Sequence, residues 1–448
     1  MTTINSSLTT ADIQALTTTV IAGLTTEDWA AISSTQMAAL TTAQVTNISA
    51  TGFAAIDGTT LAALGTSQFS VFTTKQIGAM TADQAAQMDT ADLAVISTTA
   101  IVSLASTALA AFNTAQLNIL TTAQFAVLTG GQIGGITVDQ ADAMATNDLA
   151  AIGTSAFRSL TVDAVAVLDT AQLNALTTAQ FAAMTTGQAA SLTATQATGM
   201  ATDDLAALST AAIRALTDDT LAGLGSSQIQ QLTTAQVVAF SETQVANLNS
   251  ADLNALSTAQ VAVLTTAQVA AITAAQADTM ATDDLAAIST RSIRALNNDA
   301  LAILDSVQFN ALTTAQFAAL TSAQTAAITS VQSATMATDD LAALTTAAVA
   351  ALTNETLAAL NSAQLAQLTT AQVRGLTTDQ VGNLTTADLN ALTTDQIAVL
   401  TSTQIAAITT AQADAMATDD LAAITTAAIK GLSSDALAVL DSAQFNVL

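Results

Sequence analysis

The sequence predicts an all-α solenoid, a fold in which short helices wind into stacked coils, and three observations lead to it. One eight-residue pattern runs through all 448 residues, residues typical of helix N-termini recur at its start, and a single unit is too small to fold alone. The octad Thr265 to Ile272, TTAQVAAI, represents the pattern. There are fifty-six octads in one register, and position 8 is always Leu, Ile, Met or Phe.

The start of each octad has the spacing of a capping box. Thr or Ser usually stands at position 1 and Gln or Asp at position 4, as in Thr265 and Gln268. A hydroxyl at the helix start accepts from the backbone N–H three residues on, and the residue there reaches back to the first N–H. The pattern therefore predicts that a helix begins in every octad.

The rest of the octad predicts that this helix is short. Ala, Gln and Leu are good helix formers, and the apolar positions 5 and 8 are three residues apart on one face. In an unbroken helix, eight residues advance about 80° beyond whole turns, so the apolar stripe would spiral around the rod. We therefore expect each Thr-Thr pair to end one helix and begin the next.

Energetics require the octads to stack. Burying two large apolar side chains yields about 3–6 kcal/mol, whereas ordering eight backbone residues costs about 8–16 kcal/mol. The sequence therefore predicts coils that bury a continuous interior. A β-solenoid, with Thr and Val in short strands, is the alternative, but the abundance of Ala, Gln and Leu favours helices. Since no linker interrupts the pattern, we expect one elongated domain over 1–448.

A longer period lies above the octad. Six acidic octads mark it, and they start 56, 56, 80, 56 and 80 residues apart: 89–96, 145–152, 201–208, 281–288, 337–344 and 417–424. Intervals of seven and ten octads fit two and three whole turns of the solenoid. This arithmetic predicts roughly 3.3–3.5 octads per turn.

Charged residues are concentrated at the acidic octads and the octads that follow them. Acidic pairs occupy positions 3 and 4: Asp203 with Asp204, Asp283 with Asp284, Asp339 with Asp340, and Asp419 with Asp420. The helix dipole and capping account for acids in a first turn. The next octad carries a basic residue at position 6 in four cases: Arg158, Arg214, Arg294 and Lys430. We interpret these acids and bases as candidate contacts between neighbouring coils or neighbouring chains.

Composition argues against several functional classes. The chain has no His or Cys, which removes the usual triads, thiol nucleophiles and zinc sites, so we expect no enzyme and no cofactor. Structural Ca²⁺ on the acidic residues is the one metal hypothesis. The net charge of −27 disfavours nucleic acid, and Thr-Thr pairs interrupt every apolar run, so we expect no membrane insertion.

The acidic, Cys-free, Thr- and Ala-rich repetitive composition resembles that of secreted surface-layer proteins and large adhesins of Gram-negative bacteria. The resemblance implies an extracellular or cell-surface location. The start, MTTINSSLTTADIQAL, has no basic or apolar segment typical of a classical signal peptide, and several such proteins are exported without one.

The ends of the repeat suggest a function. The first and last coils read as ordinary repeats without polar caps, and open head-to-tail contact generates filaments. The leading hypothesis is a structural protein that assembles with itself into an extracellular filament, sheath or surface layer, with cell-surface components as further partners. An adhesin stalk and a Thr-array ice-binding protein are the alternatives.

Overall fold

Every element of the protein is a short helix in a computed structural model that describes Ile4 and residues 7–448. Over these residues there are fifty-three α-helices of four to six residues and two 3₁₀-helices, Ile293–Ala295 and Ile429–Gly431, with no strand. The predicted all-α solenoid is confirmed, and the β-solenoid alternative is wrong for this part of the chain. Most of the first octad, on which the expectation about a signal peptide partly rests, lies outside the described residues.

The capping box starts the helices as the sequence predicts. In TTAQVAAI the helix is Thr266–Ala270 and Thr265 is its N-cap. The Thr265 hydroxyl accepts from the Gln268 N–H at 3.2 Å, and Gln268 Oε1 accepts from the Thr265 N–H at 2.9 Å. Two of the N–H groups that a helix start leaves unpaired are thereby satisfied within the octad.

Each helix ends at position 5, 6 or 7 of its octad, and after a helix that reaches position 7 the next residue leaves the helical conformation. Leu304 is extended, with φ −55° and ψ 129°, directly after the helix Asn298–Ile303. No described residue has a positive φ. The turn between octads therefore needs neither glycine nor a left-handed residue, which explains how almost any small residue can occupy positions 6 and 7.

The helix bounds vary little from octad to octad. Over one 56-residue period the helices are Thr146–Ala151, Thr154–Phe157, Val162–Ala166, Thr170–Ala175, Thr178–Ala183, Thr186–Ala190 and Ala194–Gly199. Each one begins at position 2 of its octad. The fold is thus one local structure repeated in a fixed register.

The helices group into two compact units, residues 1–232 and 233–448. In the first unit they run from Thr10–Ala15 to Ser226–Gln231, and in the second from Thr234–Ala239 to Ser442–Phe445. Both units are built from the same octads. The expectation of one continuous domain over 1–448 stays a prediction.

Within each unit the chain forms coils of between three and four octads. A helix packs on the helix three octads later, as Thr26–Ala30 does on Ala50–Ala55 and Ser322–Ala326 does on Thr346–Ala351. Hydrogen bonds from position 4 reach four octads back. These two relations bracket the 3.3–3.5 octads per turn that the spacing of the acidic octads predicts.

Positions 5 and 8 form the interior. Val269 and Ile272 are both fully buried, and the same positions carry large aromatic side chains such as Trp29, Phe309 and Phe317. Phe309 and Phe317, from successive octads, meet edge to face with ring centroids 5.1 Å apart. The core predicted from the octad pattern is therefore confirmed.

Candidate functional site: the glutamine ladder and its interruptions

The glutamine at position 4 joins successive coils. Gln268 is 2% exposed, and while its oxygen caps its own helix, its Nε2 donates to the Val237 carbonyl at 2.8 Å and the Phe240 carbonyl at 3.0 Å. These carbonyls belong to positions 5 and 8 of the octad four before. A buried carboxamide is costly unless its hydrogen bonds are made, and here both ends of it are satisfied.

The same bonds recur along both units, and we call them the glutamine ladder. In the first unit Gln76 donates to the Val45 carbonyl at 2.6 Å and to the Ile48 carbonyl at 3.0 Å. Further rungs with both bonds include Gln84, Gln124, Gln132, Gln180, Gln316, Gln324, Gln380 and Gln412. Polar bonds therefore run beside the apolar interior from coil to coil.

The ladder was not predicted from the sequence, although the sequence contains a signal for it. Glu caps a helix as well as Gln does, because the capping box uses only a side-chain oxygen. The chain has three glutamates, Glu27, Glu242 and Glu355, and none of them is at position 4. The preference for Gln indicates that position 4 needs an N–H donor as well as an acceptor.

The ladder is interrupted at each acidic octad and the two octads after it. In the last such stretch position 4 is Asp420, Ala428 and Ala436 in turn. In some octads a hydroxyl takes over one rung: Ser292 donates to the Leu264 carbonyl at 2.8 Å and Thr356 to the Ile328 carbonyl at 2.9 Å. Each of these six interruptions thus covers close to one full turn of the solenoid.

The two acids of each pair have different surroundings. Both acids lie in the first turn of a helix, as expected. The acids at position 3 are exposed: Asp203, Asp283, Asp339 and Asp419. The acids at position 4 are buried: Asp204, Asp284, Asp340 and Asp420. The N-cap residue of these helices is Ala and makes no side-chain bond. Capping therefore does not explain the acids, contrary to our interpretation.

At four of the six acidic octads an asparagine from the preceding coil replaces the missing cap. Asn254 Oδ1 accepts from the N–H of Ala281, the N-cap of the acidic octad, at 3.1 Å, and its Nδ2 donates to the Thr279 carbonyl at 2.8 Å. Asn118, Asn174 and Asn390 make the same pair of bonds to their acidic octads. We call this arrangement the asparagine clamp, and the sequence analysis did not anticipate it.

Burial raises the pKa of the position 4 acids. The pKa of Asp92 and that of Asp148 rise to about 6 because burial penalises the charged carboxylate. Burial also raises the pKa of Asp204, Asp284, Asp340 and Asp420, with a smaller contribution from the neighbouring acid at position 3. For Asp340 a 2.7 Å hydrogen bond from the Thr314 hydroxyl opposes the rise.

Arg158, Arg294 and Lys430 form no ion pair with these acids. Arg158, Arg214, Arg294 and Lys430 are all exposed, and no basic group contributes to the pKa shifts of the buried acids. Within the described part of the chain no ion pair is formed by Arg158, Arg294 or Lys430. Pairing between separate chains stays a prediction.

The described residues contain no group of three or more acidic side chains close enough to hold a metal ion. The calcium hypothesis stays a prediction. Among the same residues no helix has the length and apolar character needed to cross a bilayer.

The first coil differs from the ordinary repeat that we expected. Its position 4 residues are Ile4, Asp12, Val20 and Asp28. The first rung comes only at Gln36, which donates to the Leu8 carbonyl at 3.0 Å. Asp12 is exposed and Val20 is half-buried. This coil therefore has no carboxamide at its ladder positions.

The last coil presents the opposite face, which is apolar. Phe445 at position 5 is 62% exposed, although other position 5 aromatic side chains are fully buried. Leu437 is 38% exposed and Leu448 is 47% exposed.

Comparison with known proteins identifies the repeat. The family model described as the ALTTAQ repeat matches residues 6–46, 141–178, 197–234, 245–282, 278–314, 333–370, 355–386, 383–418 and 413–448. No curated protein matches the sequence. Because the matched segments cover more than half of the chain, it belongs to the ALTTAQ repeat family.

Proposed function

We propose that the protein is a structural scaffold that assembles with itself, head to tail, into an extracellular filament, sheath or surface layer. The exposed face of the last coil carries this proposal, since Phe445 occupies a position that is buried in the other coils. A second copy whose first coil continued the register would cover that face. Such contact does not close on itself and so gives an open polymer.

The chemistry of the two faces supports a reversible joint. If the second copy continues the octad pattern, its octads 9–16 and 17–24 pack on octads 425–432 and 433–440 of the first copy. Asp12 and Val20 then occupy the two ladder positions of the joint. Neither side chain supplies the amide donors of a rung, so the joint depends on apolar contact with Leu437, Phe445 and Leu448. We therefore expect assembly to increase with protein concentration and to reverse on dilution.

The test compares two substitutions by sedimentation velocity and electron microscopy over a wide concentration range. Phe445→Asp places a charge on the proposed joint, whereas Val331→Asp places one on a side chain that is 65% exposed and far from the last coil in sequence. The proposal predicts filaments for the natural sequence and for Val331→Asp, and their loss for Phe445→Asp. Monomers of the natural sequence at every concentration would contradict it.

A gain of assembly gives a second arm. Val20→Gln supplies a carboxamide whose oxygen can cap Thr17 and whose amide can reach the carbonyls of Leu437 and Leu440 in the next copy. The critical concentration for assembly should fall several-fold, because a buried hydrogen bond contributes about 0.5–1.5 kcal/mol. An unchanged critical concentration would show that the copies do not join in this register.

A further inference from the structure

The octad 425–432 departs from the repeat and lines a cavity. Its helix contracts to the 3₁₀-helix Ile429–Gly431, and its ladder position is Ala428. A cavity of about 300 Å³ lies between this octad and the coil before it, and its lining includes Arg374, Leu400, Thr401, Ser402, Thr425 and Ala428. The cavity belongs to the second unit and is separate from the exposed face of Phe445.

An ordinary octad shows what normally fills this place. In 401–408 the Gln404 oxygen accepts from the Thr401 N–H at 2.8 Å, and Gln404 Nε2 donates to the Val373 carbonyl at 3.0 Å and the Leu376 carbonyl at 2.9 Å. The site that receives a carboxamide thus consists of one backbone donor and two backbone acceptors.

The same three backbone groups remain at octad 425–432, but the carboxamide is absent. By the spacing of the ladder they are the Thr425 N–H and the carbonyls of Ile397 and Leu400. The Thr425 N–H and the Leu400 carbonyl have no hydrogen-bond partner among the described residues, and the Ile397 carbonyl accepts from the Leu400 N–H at 3.1 Å. Ala428 has no polar atom in its side chain that could satisfy them.

We propose that this cavity binds a primary carboxamide from outside the octad. Thr425 and Leu400 line the cavity. The C=O of such a ligand accepts from the Thr425 N–H, and its NH₂ donates to the Leu400 carbonyl. A carboxylate would face this carbonyl without a proton to give, and an ammonium group offers the Thr425 N–H no acceptor. The chemistry selects small primary amides or the side chain of a glutamine or asparagine from another molecule.

A second cavity in the chain serves as an internal comparison. It has a volume of about 370 Å³, and its lining includes Leu264 of the preceding coil. Ser289, Arg291 and Ser292 also line it, and they belong to the octad 289–296, which contains the other 3₁₀-helix. There the Ser292 hydroxyl already donates to the Leu264 carbonyl. The carbonyl that corresponds to that of Leu400 is therefore occupied, and this cavity should bind a carboxamide more weakly.

The test uses the full chain, which has no cysteine, so that a single Ala427→Cys substitution carries one trifluoromethyl label at the cavity. Propionamide should shift the ¹⁹F signal in a saturable way with a dissociation constant on the order of 10 mM, as expected for five heavy atoms. N,N-dimethylpropionamide, which has no N–H, should not shift the ¹⁹F signal in a saturable way. The Thr425 amide should exchange its hydrogen more slowly when propionamide is bound, which is measured without the label.

Ala428→Gln in the labelled chain is the matched variant. Its own carboxamide should fill the site, keep or raise the thermal midpoint, and weaken propionamide binding at least tenfold. Reduced filament formation by this variant would identify a side chain of a second copy as the ligand, and unchanged filaments would identify a small molecule. The proposal is overturned by equal responses to the two amides, or by a well-folded Ala428→Gln chain that binds propionamide as before.

Discussion

At the scale of the residue, one side chain performs two tasks. The oxygen of a ladder glutamine starts its own helix, and its NH₂ group binds the preceding coil. The local and the long-range contact are made by the same carboxamide. A substitution at position 4 therefore separates the two tasks when it keeps the oxygen and removes the amide hydrogens.

Gln268→Glu makes this separation. The carboxylate still caps Thr265, but it faces the carbonyls of Val237 and Phe240 without a donor. We expect a loss of about 2–4 kcal/mol, because two buried bonds are lost and a charge is buried near acceptors. Hydrogen exchange measured in 233–240 and 265–272 reports this loss locally, which matters because long repeat arrays do not unfold in one step.

Gln367→Glu is the control for this change. Gln367 is exposed and lies at position 7 in the same unit. Its substitution should alter exchange by less than about 0.5 kcal/mol, the usual range at a surface site. Equal effects of the two substitutions would mean that charge, and not the lost amide, causes the change.

The buried acids give a pH dependence with a definite sign. Because the folded pKa of Asp148 is raised from 3.8 to about 6, the folded chain holds this proton more tightly than the unfolded chain does. The resulting stabilisation is complete below pH 4 and is lost as the pH rises through 6. The thermal midpoint of the natural sequence should therefore fall relative to that of Asp148→Asn between pH 4.5 and 7.5.

An exposed acid supplies the control for the pH series. Asp139 lies in the octad before the acidic octad, and its side chain is exposed. Asp139→Asn should follow the natural sequence across the whole range. A constant difference between the natural sequence and Asp148→Asn at every pH would rule out titration of Asp148 as the cause.

At the scale of the element, a helix of four to six residues depends on how its first turn is satisfied. Most helices carry their own capping box, whereas the helix Thr282–Ala287 takes its cap from Asn254 in the preceding coil. The acidic octads 145–152, 201–208, 281–288 and 417–424 are thus helices whose start depends on tertiary contact. They should lose their order first when coils separate.

Asn254→Ala tests this dependence. It removes the bonds to Ala281 and Thr279, and we expect hydrogen exchange of 281–288 to become faster by an amount equivalent to about 1–3 kcal/mol. Asn383→Ala is the control, since the Asn383 amide donates only to the Asp379 carbonyl of its own helix.

A second substitution should rescue the first. Adding Ala281→Thr should restore much of the protection, because the new hydroxyl and Asp284 together recreate the box that Thr385 forms with Asp388. Hydrogen exchange of 281–288 in the double variant measures the recovery. A failed rescue would point to the Thr279 bond as the important one.

The parts of the element that the sequence predicts are the local ones. The cap at Thr265, the length of the helix and the burial of Val269 follow from residues within eight positions of one another. The rung from Gln268 to Val237 and the clamp from Asn254 to Ala281 join residues 31 and 27 apart, and these separations are set by the size of the coil. An asparagine does stand 27 residues before the start of five of the six acidic octads. This spacing is visible in the sequence, but it indicates a contact only when the number of residues per coil is known.

At the scale of the whole molecule, the octad register determines which octads can be deleted without loss of the contacts between coils. Ladder rungs require only that any octad meets the octad four before it, so they can form again after the loss of one octad. A clamp is different, because Asn254 must stand four octads before Ala281. The molecule therefore combines interchangeable contacts with a few that fix particular octads opposite one another.

Two deletions of one octad each distinguish these contacts. Removing 265–272 shortens the distance between Asn254 and Ala281 and places the N–H of Ala281 over Ala246, which has no acceptor in its side chain. Removing 369–376 leaves the clamp of Asn254 to Ala281 and that of Asn390 to Ala417 intact. Both chains should fold with far-ultraviolet circular dichroism typical of helices, but only the first should lose hydrogen-exchange protection in 281–288. Global unfolding of both chains would show that the coils tolerate no change of octad number, and equal protection in both would show that the clamps do not fix the coils.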